Sequence, residues 1–333
     1  MRRSLTTAAA AAILLAGCGG SDNEKPSATN APAPKKPAPP ATTPAAAPKP
    51  KPKPAPKRHA PPAKAIGIGD QGAAMFGAPL FRSLRIDKAR RVVPWDVMQI
   101  RSEVQLTDAW LAAARRAGVE AFISFGASRR NPAKLPSVAQ FRAAFQAFRK
   151  RYPQVRVYSP WNEVNHKSQP TADRPERAAA YYEVVRDSCR NCTVVAADVL
   201  DQQGFTRYLA RFRRATSGPT PHLWGLHNYS DTNRFRTRGT RAMLRAVPGQ
   251  IWVTETGGVA RFGRSFPFDL RRQARATAYT FKLLKLSPRI RRLYVYNWAG
   301  APPGARFDAG LTNADGSPRP AYRTLERELS PRG

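Results

Sequence analysis

Two glutamates each close a run of strand-forming residues: Glu163 ends VRVYSPWNE (155–163) and Glu255 ends IWVTE (251–255). A strand that buries valines and then presents a carboxylate at its C-terminal tip is equipped for more than packing, because an unpaired carboxylate is costly to bury. In a parallel α/β barrel those tips form the reactive face. Two carboxyl groups converging there can divide the work of cleaving a glycosidic bond. One protonates the departing oxygen, and the other, ionised, meets the anomeric carbon from the opposite side. At a separation of about 5–5.5 Å the second carboxylate acts as nucleophile and configuration is retained, whereas a wider gap admits water and inverts it. The plainer reading is that each glutamate pairs with one of the many arginines.

Further candidates lie near the same strand ends. Asn162 directly precedes Glu163, and His227 and Tyr229 stand together in HLWGLHNY. Trp298 closes RLYVYNW and offers a ring face for stacking on a pyranose, although a tryptophan there can equally be core. Trp95 and Trp161 suit packing beneath Glu163. Asp70, Trp95, Asp96 and His166 lie at or just beyond strand ends and could line the cleft, with no role assigned.

These side chains need a scaffold that brings distant strand ends together. From Ala65 onward the sequence predicts eight strands, at 65–70, 89–95, 119–126, 155–163, 193–198, 222–229, 251–255 and 292–298. Between them LTDAWLAAARRAG, SVAQFRAAFQAFRKRY, RPERAAAYYEVVRDS and FDLRRQARATAYTFKLLKL carry apolar residues at helical spacing. Thr107 and Ser137 are suitable N-caps, and basic residues suit the helix C-termini. Eight strands alternating with helices match a (β/α)8 barrel. A doubly wound sheet is the runner-up. IGIGDQG only approximates the glycine fingerprint it would use, and no well-placed acidic residue follows a second strand.

WNE after strand four and TETG at strand seven, with HNY at strand six and NW at strand eight, resemble glycoside hydrolase clan A, families 5 and 39 above all. The resemblance covers nearly all of residues 65–330. It implies a retaining enzyme of the (β/α)8 class with Glu163 as acid/base and Glu255 as nucleophile. It further implies that Asn162 contacts the sugar 2-hydroxyl, that Tyr229 orients the nucleophile, and that the closing segment GLTNADGSPRPAYRTL is structural. His227 and Trp298 complete the expected substrate-binding set. Two positions depart from family 5. The arginine before its hydrophobic–proline pair is shifted by one in Arg90-Arg91-Val92-Val93-Pro94, and FISFGAS on strand three lacks a histidine. No cofactor and no metal are expected. The alternative is a cell-surface barrel that binds glycan without turnover, and a third reading is a basic wall-binding scaffold.

The rest of the chain bears on where the barrel works. Arg2 and Arg3 precede the apolar run TTAAAAAILLAG, too short to span a bilayer, and then Cys18. Leu15-Ala16-Gly17-Cys18 resembles the bacterial lipoprotein processing box, which implies a cleaved signal at 1–17 and a lipidated Cys18. From Gly19 to about Lys64 the chain is Pro, Ala and Lys, unable to form a core. As a polyproline II stalk it would reach about 140 Å. The expected division is thus 1–17, a stalk at 18–64 and a catalytic domain at 65–333, exported and lipid-anchored to the cell membrane or envelope surface. The partners expected are a carbohydrate substrate and the membrane, with the barrel a monomer.

Formal charge is +34, of which residues 65–333 hold +25. The arginines are scattered over many helices and no nucleic-acid motif appears, so nucleic acid is not an expected partner. An arginine-rich surface accounts for the excess, with preference for an acidic glycan as the sharper alternative. Cys189 and Cys192, in SCRNCTVV, close a helix and precede a strand. A redox pair opens a helix instead, so a structural disulfide is expected.

Overall fold

The computed structural model describes residues 64–330. Residues 1–63, and with them the expected export signal, Cys18 and most of the expected stalk, lie outside the described residues. The strands run β1 (Ala65–Gly69), β2 (Lys88–Pro94), β3 (Glu120–Gly126), β4 (Val157–Ser159), β5 (Thr193–Val194), β6 (Asp198–Leu200), β7 (Leu223–His227), β8 (Gln250–Thr256), β9 (Arg261–Phe262), β10 (Ile290–Tyr296) and β11 (Phe307–Asp308). All except β9 and β11 share one parallel sheet in the order β5-β4-β3-β2-β1-β10-β8-β7-β6. The two remaining strands pair antiparallel with each other.

The first and last strands of that order, β5 and β6, belong to one stretch of chain. Thr193 pairs with Val157 of β4, and Asp198 pairs with Gly225 of β7. Between them Val195 N donates to Tyr158 O and Ala196 N donates to Leu223 O. The run expected as a single fifth strand is therefore two short pieces that bridge both edges of the sheet and curl it into a barrel. Parallel neighbours need long crossovers. These are supplied by α1 (Pro79–Ser83), α2 (Arg101–Arg116), α3 (Val138–Arg151), α4 (Pro175–Ser188), α5 (Phe205–Ala215), α6 (Tyr229–Asn233), α7 (Arg238–Ala246) and α8 (Leu270–Leu284), while α9 (Pro320–Leu329) follows the last strand.

Helix α3 shows how sequence fixes such an element. Ser137 caps it by accepting from Gln140 N, and the Gln140 side chain accepts from Ser137 N in return. Phe141, Ala144, Phe145 and Phe148 form its buried stripe. Phe141, Phe145 and Phe148 meet Phe125 of β3 edge-on at 5.9, 5.9 and 5.2 Å. Each such ring is worth about 1.5–3 kcal/mol in burial. Helix α2 begins earlier than expected. Thr107 is not its cap but an internal, buried residue whose hydroxyl donates to Glu103 O. Cys189 and Cys192 are disulfide-bonded, with Cα atoms 5.4 Å apart, in the loop from α4 to β5.

The barrel interior is layered. Phe122, Val157, Val195, Trp252 and Tyr294 form a separate apolar cluster from five different strand regions. Above the Phe122 ring, 5.5 Å from its centre, lies the Arg90 guanidinium of β2. Asp198, fully buried, occupies the space that Gly225 leaves by lacking a side chain: a Cβ there would stand 1.8 Å from Asp198 Oδ1 and 2.9 Å from Thr254 Oγ1. Gly225→Ala is therefore expected to lower the unfolding free energy by about 3 kcal/mol. The measure is the urea midpoint at unchanged m-value, and an unaltered midpoint would contradict this packing.

Candidate active site

Glu163 does not end a strand. β4 stops at Ser159, and Glu163 sits four residues on in the following turn, at φ 49°. The left-handed region costs a non-glycine residue about 1–2 kcal/mol, so it persists only where neighbours hold it. Here both do. Asn162 N donates to Phe125 O of β3 at 2.6 Å, and Val164 N donates to Asp198 O of β6 at 2.9 Å. The turn closes through His166 N donating to Glu163 O. The result is a carboxylate with 1% exposure turned towards the barrel axis, where Oε1 lies 3.2 Å from His227 Nδ1.

Glu255 reaches the same place by a different route. Strict alternation along β8 would put Trp252 and Thr254 inside, as observed, and Glu255 outside. The pairing with β10 contains an irregularity: Leu293 pairs with Val253, but Val295 pairs with Thr256. One extra residue on β8 makes a bulge, which re-aims the side chain beside it. Glu255 Oε2 then accepts from Arg90 Nη1 at 2.7 Å, and Oε1 accepts from the Tyr229 hydroxyl at 3.0 Å. Ligand-capable atoms of Glu163, His227 and Glu255 all lie within 4.8 Å of one another.

Arg90 links these parts. Its Nη2 donates to Asn162 Oδ1 at 2.6 Å and to Asp198 Oδ2 at 3.1 Å. Asp198 in turn accepts from Thr254 Oγ1, next to Glu255, at 2.8 Å and from Ser124 Oγ at 3.2 Å. Burial works against the Arg90 charge, but Asp198 and Glu255 outweigh it and raise its pKa. Burial also works against a charged His227. Glu255, the contact with Glu163 and Asp198 prevail over burial and Arg90, and the imidazole pKa lies above its ordinary value. Burial, and then Glu255, push the Tyr229 phenol well up, so it remains a donor. A divalent cation held by Glu163, His227 and Glu255 would have to compete with Arg90 and Tyr229 for both Glu255 oxygens.

Four of the expected residues, Glu163, Glu255, His227 and Tyr229, thus form one bonded cluster, and Asn162 joins it through Arg90. His227 and Tyr229 are buried and contact the two carboxylates themselves. Trp298 requires correction as an open stacking face. It lies two residues past β10, 6% exposed, with its ring edge-on to Phe81 and Tyr322 in the core. Its backbone N donates to Asp70, which also accepts from Gly72 N and Ala299 N and so fixes the turn after β10. Tyr296, the last residue of β10, is the half-buried aromatic beside the carboxylates. After burial, Glu255 and Asp70 are the main causes that raise its phenol pKa. Trp161 is buried against Tyr181. Asp96 accepts from Ser128 Oγ, Trp95 is buried beside Lys134, and His166 Nδ1 lies 2.6 Å from Ser168 Oγ.

Arg90, Asp198 and Tyr296 were not among the expected site residues. Asp198 carried a readable signal, a lone acid in the apolar run TVVAADVL. Tyr296 and Trp298 share one strand phase, so alternation could not choose between them; the strand end does.

This arrangement, two carboxylates held by an arginine, a histidine and a tyrosine at the C-terminal end of a parallel barrel, has relatives. Residues 136–324 match the family described as glycosyl hydrolase catalytic core. Among solved structures, the chain is similar to a family 39 glycoside hydrolase from Bacteroides cellulosilyticus WH2, with TM-score 0.56 and 16% identity over 80% of this chain and 64% of that one. The chain therefore spans less than two thirds of that enzyme's length. It is also similar to a GH5_18 protein from Streptomyces cattleya solved with GlcNAc, with TM-score 0.56 and 15% identity over 81% of this chain and 80% of that one. A GH10 endoxylanase retrieved from a sugarcane soil metagenome aligns with TM-score 0.56 and 13% identity over 80% of this chain and 97% of that one. Among curated proteins none matches the sequence. At these identities the structures speak for a shared fold. The family match spans more than half of the 333 residues, and the protein belongs to the glycosyl hydrolase catalytic core family.

Proposed function

We propose that the protein is a retaining glycosidase that cleaves β-linked oligo- or polysaccharides by double displacement. In this reading Glu163 protonates the glycosidic oxygen while Glu255 attacks the anomeric carbon. A glycosyl ester forms on Glu255 as the alcohol leaves. Glu163, now ionised, takes a proton from water, which displaces Glu255 from the sugar and restores the starting configuration. The observation that supports the reading is the closeness of the two carboxylates, one oxygen of each within 4.8 Å of the other, which is nearer the separation of about 5–5.5 Å used for direct attack than the wider gap of about 6.5–9.5 Å used for inversion.

The surroundings give each carboxylate a distinct task. Glu255 has both oxygens engaged, by the Arg90 guanidinium at 2.7 Å and by the Tyr229 hydroxyl at 3.0 Å, and is aimed by the pair. Glu163 faces His227, whose Nδ1 proton lies towards it in either charge state when Nε2 is turned to Arg90, 3.5 Å away. Asn162 has its oxygen engaged by Arg90, which leaves its amide N–H groups free to meet a sugar hydroxyl. Tyr296, half-buried at the end of β10, offers an aromatic surface for the ring. We further propose export and lipid anchoring through Cys18, which would tether the barrel to the bacterial surface by the Pro/Ala/Lys-rich stalk.

Glu255→Gln is expected to lower kcat on an aryl β-glycoside on the order of 10⁴-fold or more, because the covalent step disappears. Glu163→Ala should retain glycosylation by activated aryl glycosides, stall at deglycosylation, and recover turnover in azide with a glycosyl azide of retained configuration. A product of inverted configuration, followed by NMR, would remove double displacement. Asp198→Asn, which loosens Arg90 without touching substrate, should reduce kcat on the order of 10²-fold while KM changes little. A wild-type kcat would show that Arg90 needs no such anchor. Labelled palmitate should enter the full-length protein in a bacterial host and not its Cys18→Ser variant; equal labelling would contradict the anchor.

A further inference from the structure

The loops beyond β8 and β10 carry a patch that the two-carboxylate chemistry does not use. β9 and β11 pair antiparallel, Phe307 opposite Phe262 and Asp308 opposite Arg261, and so tie those two loops into one platform. The platform adjoins the reactive cluster through rings. Phe307 lies edge-on to Tyr229, the Glu255 partner, at 6.1 Å, tilted to Tyr296 at 6.3 Å, and edge-on to Phe262 at 6.0 Å.

Outward from these rings the surface is arginine laid on phenylalanine. Arg306 stands 5.9 Å from the Phe262 ring centre, Arg234 stands 5.5 Å from Phe266, and Arg261 stands 5.1 Å from Phe268. Phe268 is 49% exposed and Phe235, beside Arg234 in the chain, is 42% exposed, which is unusual for residues of that size. Arg264 is exposed and projects from the same loop. Among the described residues no carboxylate pairs with Arg234, Arg261, Arg264 or Arg306. The acids nearby are already committed. Asp269 caps α8 by accepting from Arg271 N and Arg272 N, and Asp308 is held by Arg319 at 2.8 and 2.9 Å.

Three guanidinium groups laid on phenylalanine rings, Arg264 exposed beside them, and the partly open rings of Phe235 and Phe268 suit one kind of ligand within reach of a sugar-cleaving site. A guanidinium fork takes a carboxylate in two parallel hydrogen bonds, and a phenyl face takes the apolar side of a pyranose. We propose that this platform is an extended binding surface for a glycan chain bearing carboxylate groups, so that the substrate is an acidic polysaccharide. The inference rests on the proposed glycosidase reading for its link to catalysis, but the surface itself can be tested separately.

The test measures binding of the full-length protein to carboxymethylcellulose, cellulose sulfate and neutral hydroxyethylcellulose by affinity electrophoresis at low salt and at 0.5 M NaCl. All three polymers share a β-glucan backbone, and the sulfate arm separates a carboxylate preference from simple polyanion attraction. Carboxymethylcellulose should be retained at least tenfold more strongly than the neutral polymer, with the advantage mostly lost in high salt. Arg261→Ser/Arg264→Ser/Arg306→Ser should abolish the preference, and Arg264→Glu, at a side chain with no packing partner, should weaken it several-fold without risk to folding. Equal retention of charged and neutral polymers, absence of retention of both charged ones, stronger retention of the sulfate, or a preference that survives the triple variant would each overturn the proposal. Reducing-end release is followed in parallel. Selective binding without release of ends sinks the glycosidase reading and leaves the surface standing, whereas cleavage of neutral glycans without charge preference does the reverse.

Discussion

A guanidinium with 1% exposure can stay in a barrel interior only because carboxylates meet it from two sides, Glu255 at 2.7 Å and Asp198 at 3.1 Å. Removing one partner from such a buried pair typically costs about 3–5 kcal/mol, since the remaining charge is left dry and alone. The consequences run outward from Arg90. Glu255 is held at one orientation, Asn162 is fixed next to Glu163, and Asp198 needs the space that Gly225 provides. Asp198 also supplies the carbonyl that pins Val164, and through it the left-handed turn at Glu163. One ionic junction thus sets the positions of both carboxylates, which belong to chain segments far apart in sequence.

Much of the scaffold was legible before the structure. Alternating strands and amphipathic helices point to the barrel, and Ser137 as an N-cap marks the start of α3 to the residue. The fifth strand was not readable as two pieces, because an apolar run such as TVVAADVL carries no mark of where its pairing changes partner. The sequence points to Thr107 as the start of helix α2. A threonine before an apolar stripe is a good cap, but the same residue can satisfy its hydroxyl on the carbonyl four residues back, as it does here.

The site was legible in its chemistry and less so in its geometry. The glutamates stand out as carboxylates closing apolar runs, and this signal survives even though neither follows a simple strand rule. Glu163 is in a turn whose positive φ no residue type announces, and Glu255 faces inward only through a bulge. Arg90 looked like a family position displaced by one. Inward alternation along β2 places it over Phe122 and beneath both glutamates, so the apparent shift in RRVVP hides a residue that is in register. Trp298 is the tryptophan that closes the expected eighth strand, yet the strand ends at Tyr296 and Asp70 holds the following turn so that the Trp298 ring returns to the core. Residue type suggested what could act; bulges, turns and strand ends decided what faces the cleft.

Charge has two scales in this molecule. Several arginines, Arg115, Arg116, Arg213 and Arg214 among them, lie in the last turns of helices, where the helix dipole favours them. Those on the β9–β11 platform sit instead beside the reactive cluster and lack acidic partners among the described residues. The central claim, however, concerns the carboxylates alone, and it is tested most directly by trapping. Incubation with a 2-deoxy-2-fluoro glycosyl fluoride slows release of the sugar from the enzyme, so that the intact protein should gain the mass of one fluorosugar. Peptide mapping by mass spectrometry should then locate that mass on Glu255. An adduct on another residue, or none with a fluoride whose parent sugar is turned over, would contradict the account.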